Sequence, residues 1–435
     1  MDTKIVHSNV TVGENGHLYF AGADTTVLAE KYGTPVFLLD DARVRARVRE
    51  YKEAMARNFG EGSMPLFASK SLSFKEIYRM MAEEGIGTDI VSSGELYTAV
   101  CAGFPMERAF FHGNNKTDED IAYAIECKIG YFIVDNREEL EEINRVAGKK
   151  SIKQKILLRL SPGIDPHTHA KISTGKVDSK FGSAIETGQA DEMVKLALEL
   201  ENISLEGFHC HIGSQIFECE PFCDAADIML AYVAHVKENF SFEARTLNLG
   251  GGFGVRYVDD DPYIDYEENI KSIAAHVDTK CAELKIKKPC ILMEPGRSMV
   301  ADAGMTLYTV GTVKTITGYK TYVSIDGGMT DNPRYALYQS RYTFEIANKV
   351  NEEKLLSCTI AGRCCESGDL LGEDVKLQNA ERGDILATLV TGAYNYAMSS
   401  NYNKIPRPPI VMISGGIDRV AVRRETYADL ARLDI

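Results

Sequence analysis

The run Met64-Pro-Leu-Phe-Ala-Ser-Lys70 is apolar and closes on one lysine set between small residues. A lysine at the end of a buried strand loses hydration, its pKa falls, and the neutral amine can condense with an aldehyde. Three other stretches carry chemistry of the same kind: His211-Ile-Gly-Ser214-Gln, Gly250-Gly251-Gly252-Phe-Gly254 and Glu294-Pro-Gly296-Arg297. Each has an ordinary structural explanation, as a solvated lysine, a satisfied core histidine, a tight turn or a Glu–Arg ion pair. Together they are harder to ascribe to packing. An amine, a glycine-rich anion cradle, a flat ring and a carboxylate describe a site for pyridoxal phosphate.

These residues need a scaffold that brings them to one place. Strand-like apolar runs occur at 65–68, 87–91, 108–112, 131–135, 155–160, 205–211, 246–249 and 290–294. Amphipathic helical patterns lie between them, at 74–84, 94–102, 118–127, 138–147, 190–200, 222–239 and 266–284. Eight strands alternating with helices predict a closed (β/α)8 TIM-type barrel rather than an open doubly wound sheet. In such a barrel chemistry sits at the C-terminal strand ends, and phosphate sites sit after strands seven and eight, where the triple glycine falls. Past Gly296 the pattern turns β-rich, with strands at 305–313, 322–325, 357–360 and 410–413. The first residues are also strand-like, at 4–10, 17–20 and 36–39, with a helix at 25–32 and a longer one from 40 to about 58. The expected division is 1–40 as N-terminal strands joining the β domain, 41–300 as the barrel, and 301–435 as a β-rich, sandwich- or barrel-like domain.

Composition bounds the function. The chain has 435 residues and a net charge of -14, without a compensating basic patch. That balance argues against nucleic acid or an anionic membrane as partner. The N-terminus lacks a signal-peptide core and no apolar run reaches membrane-spanning length, so a cytoplasmic location is expected. Ten cysteines read as reduced thiols. Cys210, Cys219 and Cys223 lie near His209 and His211, but the spacing fits no zinc pattern, and no metal is expected.

The motifs resemble those of the fold-type III pyridoxal-phosphate decarboxylases of the alanine racemase and ornithine decarboxylase superfamily, and among these the diaminopimelate decarboxylases. The resemblance spans nearly the whole chain. It includes His209-Cys-His211-Ile-Gly-Ser-Gln, Leu249-Gly-Gly-Gly-Phe, Glu294-Pro-Gly-Arg297, Asp331-Asn-Pro-Arg334, Cys365-Glu366-Ser-Gly-Asp369 and Ser400-Asn-Tyr-Asn. The last three are the more specific. One departure is visible: many relatives have Val-Lys-Ala-Asn around the lysine, where this chain has Ser69-Lys70-Ser71-Leu72.

The resemblance implies decarboxylation of meso-2,6-diaminopimelate to L-lysine and CO₂, with pyridoxal phosphate as cofactor. By resemblance, Lys70 holds the cofactor's aldehyde and His211 stacks on its ring. Ser214, the amides of Gly250, Gly251 and Gly252, the Gly296–Arg297 turn and Tyr394 hold its phosphate. A carboxylate such as Glu294 facing the pyridine nitrogen keeps it protonated and strengthens the electron sink, which favours decarboxylation over racemisation. Arg297, Arg334 and Tyr338 match positions that bind substrate carboxylate, and Tyr394 borders the same site; Glu366 matches the acid that contacts a substrate ammonium. Cys365 matches the proton donor, with Cys364 beside it as a competitor; neighbours on a strand face opposite ways, so only one can point into a site. The resemblance also implies a homodimer in which the Cys365–Asp369 loop serves the partner's active site.

Overall fold

The computed structural model describes residues 7–164 and 180–435. Its backbone forms two compact units, one of residues 47–254 with 263–298, the other of residues up to Ala46 with 255–262 and 299–435.

In the first unit eight parallel strands close a barrel. Met64–Ala68, Gly87–Ile90, Ala109–Phe111, Tyr131–Val134, Gln154–Ser161, Ile203–His209, Thr246–Asn248 and Cys290–Met293 pair in this order. The ring closes where Leu292 lies opposite Met64 and Met293 opposite Pro65. The number and order of strands match the sequence reading, and the ends move by one or two residues. The helices begin where polar caps stand ready: Ser92, Asn136 and Asp265 each accept an N–H of the first turn, and Thr117 forms a capping box with Asp120. Leu66, Phe110, Ile133, Leu157 and Leu292 fill part of the barrel with apolar volume. Asp89, His112, Arg159, His209, Asn248 and Glu294 are buried polar groups on or just beyond the strands. Burying them is costly unless they satisfy one another, so this polar cluster is where chemistry is to be sought.

In the second unit the main sheet runs Leu370–Leu377, Leu356–Ala361, Lys320–Ile325, Gly304–Ile316, Val36–Asp40, Ile410–Ser414, Ile417–Val422. Val36–Asp40 comes from the start of the chain. It pairs antiparallel with Gly304–Ile316 and parallel with Ile410–Ser414, so an N-terminal strand completes a sheet drawn from the C-terminal region. Val10–Val12, Leu18–Phe20 and Ala23–Asp24 form a small sheet of their own. The strand expected over 4–10 lies in part outside the described residues, and the observed strand starts at Val10. Leu370–Leu377 and Ile417–Val422 escape sequence reading because each lacks a continuous buried face; the second is exposed or half-buried throughout.

The loop after the third barrel strand is tied down by a buried ion pair. Lys116 donates to Glu139 Oε1 at 2.7 Å and to the carbonyls of Gly113 and Ile133 at 2.9 and 2.8 Å, and both charged side chains are almost wholly enclosed. Burial lowers the lysine pKa and raises that of Glu139, while their attraction opposes both shifts. Removing one partner strands the other charge. Lys116→Ala is expected to lower unfolding free energy by about 3–5 kcal/mol, read from the urea midpoint. The apolar pair Lys116→Met with Glu139→Leu should recover part of that loss; a single variant within about 1 kcal/mol of wild type would contradict the assignment.

Candidate active site

The barrel residues singled out by sequence converge through short contacts. Lys70 sits in a 3₁₀ turn, Ser69–Ser71, directly after the first strand. It is exposed, not desolvated as a lysine closing a buried strand was expected to be, because the burial falls on Ser69 and Ser71. Gly296 packs on the end of this strand so closely that a Cβ there would lie 2.6 Å from the Ala68 Cβ. Glu294 follows the eighth strand, and its N–H donates to the Gly250 carbonyl at 2.8 Å. Arg297 is buried and donates through Nε and Nη2 to Ser214 Oγ at 3.3 and 3.1 Å.

The triple glycine is dictated by crowding. A Cβ on Gly251 would stand 2.0 Å from the Glu294 carbonyl oxygen, and one on Gly252 would stand 2.6 Å from that of Gly213. Two of its amides are already engaged: Gly250 donates to Asn248 Oδ1 at 2.9 Å and Gly251 to His211 Nδ1 at 3.3 Å. The second bond makes Nδ1 of His211 an acceptor, which leaves the proton of the neutral ring on Nε2. Burial, together with the positive charges of Lys70 and Arg159, pushes the His211 pKa well below its ordinary value, so the ring is neutral and flat.

At the centre stands Glu294. Asn248 Nδ2 donates to Oε1 at 2.7 Å, His209 Nε2 lies 3.2 Å from Oε2, and His112 Nε2 lies 3.0 Å from Oε1 without hydrogen-bond alignment. Burial alone would raise the carboxyl pKa, but His112 and His209 hold it well below the usual carboxylate range. Burial in turn pushes both histidines down, His209 to about 4. Near neutrality the charge therefore sits on the carboxylate and both rings are neutral. His112 Nε2 and His209 Nδ1 are buried with no hydrogen-bond partner among the described residues. The ligand atoms of the three residues lie within 4.8 Å of one another, an arrangement suited to one cationic or protonated guest. A pyridinium N–H is such a guest. With the glycine cradle, the Ser214–Arg297 pair and the Lys70 amine, the donor set fits pyridoxal phosphate.

Several members of this cluster were not singled out by sequence reasoning. Asp89, in the second strand, accepts the Ser69 N–H at 2.8 Å; burial and the charges of Glu294 and Glu95 push its pKa well up, against the pull of Lys70. Glu95 binds the Ser69 hydroxyl at 3.0 Å and the Val91 N–H at 2.8 Å. His112 follows the third strand, Arg159 lies in the fifth, and Asn248 ends the seventh. The signal was available: inspecting all eight strand ends, not four, finds most of them.

The remaining candidates belong to the second unit. Arg334 is buried, and Nη1 donates to the phenol oxygens of Tyr257 at 2.9 Å and Tyr342 at 3.4 Å, with the guanidinium 5.2 Å from the Tyr257 ring centre. Among the described residues it pairs with no carboxylate. Tyr338 ends the short helix Arg334–Tyr338 and is half-buried. Tyr394 is half-buried with φ +60, a left-handed backbone that a bulky residue adopts only under constraint. Cys364 and Cys365 do not lie on a strand; the strand ends at Ala361 and both occupy a bend. They differ in environment all the same. Burial and the nearby Asp369 push the Cys364 thiol up to about 12, whereas Cys365 and Glu366 are exposed.

The pyridoxal binding domain of the pyridoxal-dependent decarboxylases matches residues 41–301. Curated relatives named diaminopimelate decarboxylase include that of Bacillus subtilis, 43% identical over 430 residues, covering 99% of this chain and 98% of that protein. The one from Halalkalibacterium halodurans is 46% identical, with the same coverage of both chains. Among solved structures, diaminopimelate decarboxylase of M. jannaschii in complex with L-lysine superposes with a TM-score of 0.91 at 36% identity, covering 99% and 98% of the two chains. The chain belongs to the diaminopimelate decarboxylase family of pyridoxal-dependent decarboxylases. No helix among the described residues is long and apolar enough to cross a membrane.

The neutral, buried His209 makes stability depend on pH. Its folded pKa of about 4 lies below the ordinary 6.5, so the unfolded chain takes up a proton that the folded one does not. Stability on this account is complete above about pH 6.5 and falls by about 3 kcal/mol as pH drops to 4. Urea midpoints across this range should fall more steeply for wild type than for His209→Gln; parallel curves would remove His209 as the cause.

Proposed function

We propose that the chain uses pyridoxal phosphate to remove one carboxyl group from meso-2,6-diaminopimelate, giving L-lysine and CO₂, in the cytoplasm. What carries this reading within the family is Arg334, a buried guanidinium whose described partners are neutral phenols. Such a charge is best met by a ligand carboxylate, which an arginine fork binds in two places. Residues 41–300 are assigned to cofactor binding, and the β-rich region with the N-terminal strands to substrate recognition.

Bound here, pyridoxal phosphate supplies the electron sink for the pair left behind by CO₂. Lys70 Nζ is the amine that anchors the cofactor. Glu294 keeps a proton on the ring nitrogen; it is suited to this because its carboxyl is held ionised in a buried place. His211, neutral and fixed through Nδ1, offers a flat face to the ring. Ser214, Gly250, Gly251, Gly252, Gly296, Arg297 and Tyr394 form the phosphate cradle. Arg334, Tyr338 and Arg297, beside Tyr394, bind substrate carboxylate, and Glu366 binds the distal ammonium. Cys365 Sγ returns a proton to the carbon that lost CO₂.

The exposed run 363 and 365–368 stands on the buried Asp369, as a loop made to reach a second subunit would. We therefore assign Cys365 and Glu366 to the site of the partner in a homodimer. The purified protein is expected to release CO₂ and L-lysine from diaminopimelate, with Lys70→Ala and Cys365→Ala nearly inactive. Mixed after subunit exchange, about half the dimers would be hybrids with one intact site, restoring roughly a quarter of wild-type activity. Recovery no greater than the sum of the parents, with exchange verified by mass spectrometry, would place both residues in one subunit's site.

A further inference from the structure

The buried charge of Arg334 is held by one end of its fork. Among the described residues Nη1 carries its hydrogen bonds, to the Tyr257 phenol at 2.9 Å and the Tyr342 phenol at 3.4 Å, and nothing bonds to Nε or Nη2. Those two nitrogens form an edge that takes a carboxylate in two parallel bonds. The Tyr342 hydroxyl has one proton, which it donates to Asn395 Oδ1 at 3.0 Å. Its lone pairs are thereby turned to Arg334. Asn395 follows Tyr394, whose φ is +60, and its carbonyl accepts the Met398 N–H at 3.0 Å, so its backbone is fixed on both sides. Asn395 is 1% exposed, and its Nδ2 has no hydrogen-bond partner among the described residues. A buried amide donor left unmet is a cost that packing alone does not explain.

We infer that Asn395 is a positioning residue for substrate recognition: acting through Tyr342, it ties Arg334 down at Nη1 and keeps the Nε–Nη2 edge open for the distal carboxylate. The inference rests on the role proposed above for Arg334. Asn395, Tyr342, Arg334 and Tyr257 all lie in one compact unit of one chain. An amide suits the task where an acid would not. Aspartate at this position would stand one phenol away from the guanidinium and supply the counter-charge that the substrate is meant to bring. Alanine would leave the Tyr342 proton without its acceptor and free to turn towards Arg334, where a donor would face a donor. Either change spoils recognition of the distal end and leaves the reacting end alone.

The test is a double-mutant cycle on the cofactor-loaded protein, with Asn395→Ala, Tyr342→Phe and the two combined, and with Asn395→Asp beside it. The readouts are KM and kcat for diaminopimelate and, by calorimetry, the Kd of L-lysine, which keeps the distal carboxylate and ammonium. Asn395→Ala and Tyr342→Phe should each raise KM and Kd about 10-fold, with kcat within about threefold of wild type and pyridoxal phosphate saturation unchanged. The combined variant should lose about the same 10-fold, because both changes break one relay. Asn395→Asp should lose more, on the order of 100-fold. Additive losses, about 100-fold in the combined variant, would overturn the inference by separating Asn395 from Tyr342. So would Asn395→Asp binding L-lysine as well as Asn395→Ala does. A fall in kcat or in cofactor saturation without a rise in KM and Kd is the mark of a packing defect and would overturn it too. If Asn395→Asp does not fold, the cycle alone decides. A wild-type protein that binds L-lysine but releases no CO₂ would overturn the proposed function and leave the calorimetric cycle to decide on Asn395; one that binds no L-lysine would overturn both.

Discussion

A carboxylate buried at the end of the eighth barrel strand constrains everything around it. Glu294 is taken out of water, and a lone charge there would be costly enough to force protonation. It stays ionised because Asn248 and His209 donate to it and His112 lies against it, each arriving from a different strand end. The two histidines cannot cancel the charge, since burial holds them neutral. The barrel therefore keeps a buried negative charge beside neutral rings, with Arg159 as the buried cation that feels it, and His112 Nε2 and His209 Nδ1 have no hydrogen-bond partner among the described residues. This is a poor design for stability alone and a good one for holding a proton on a heterocyclic nitrogen.

The same charge explains much of its surroundings. Asp89 lies close enough to feel Glu294, and its pKa rises for that reason as well as through burial. The Lys70 charge pulls the Asp89 pKa down against burial and Glu294, and it adds to the burial that depresses His211, so the amine bears on both ring and carboxylate. Crowding does the rest: the approach of the Gly251 and Glu294 segments leaves room for no side chain, which makes the glycine run a packing necessity before it is a phosphate cradle.

How much of this the sequence reveals depends on how local the signal is. The barrel was legible because eight apolar runs alternate with amphipathic helices, and a period-2 to period-3.6 alternation survives without knowledge of contacts. Leu370–Leu377 was not legible, since a Gly-Glu-Asp centre and a half-exposed face remove the alternation a strand usually shows. Lys70 was found by its position after a strand, yet the reason offered, loss of hydration, fails: the lysine is exposed and its neighbours are buried. His112 and Asn248 carry no motif of their own. Their role comes from which strands neighbour the eighth across the barrel, a fact of closure that no single stretch of chain records.

The second unit addresses a different problem. A protein can strengthen binding of the reacting amino acid, which every substrate of this chemistry shares, or it can recognise the end that differs. Arg334 does the latter if it meets the distal carboxylate. Phenols solvate its guanidinium and pack against it, and no carboxylate among the described residues neutralises the charge. A substrate whose distal end carries only an amine would leave that charge buried and unpaired, and would add a second cation near it. Rejection by an unmet buried polar group is far stronger than rejection by a missing methylene. Under that assignment, selectivity for a substrate with two amino-acid ends follows from a buried cation that meets no carboxylate among the described residues.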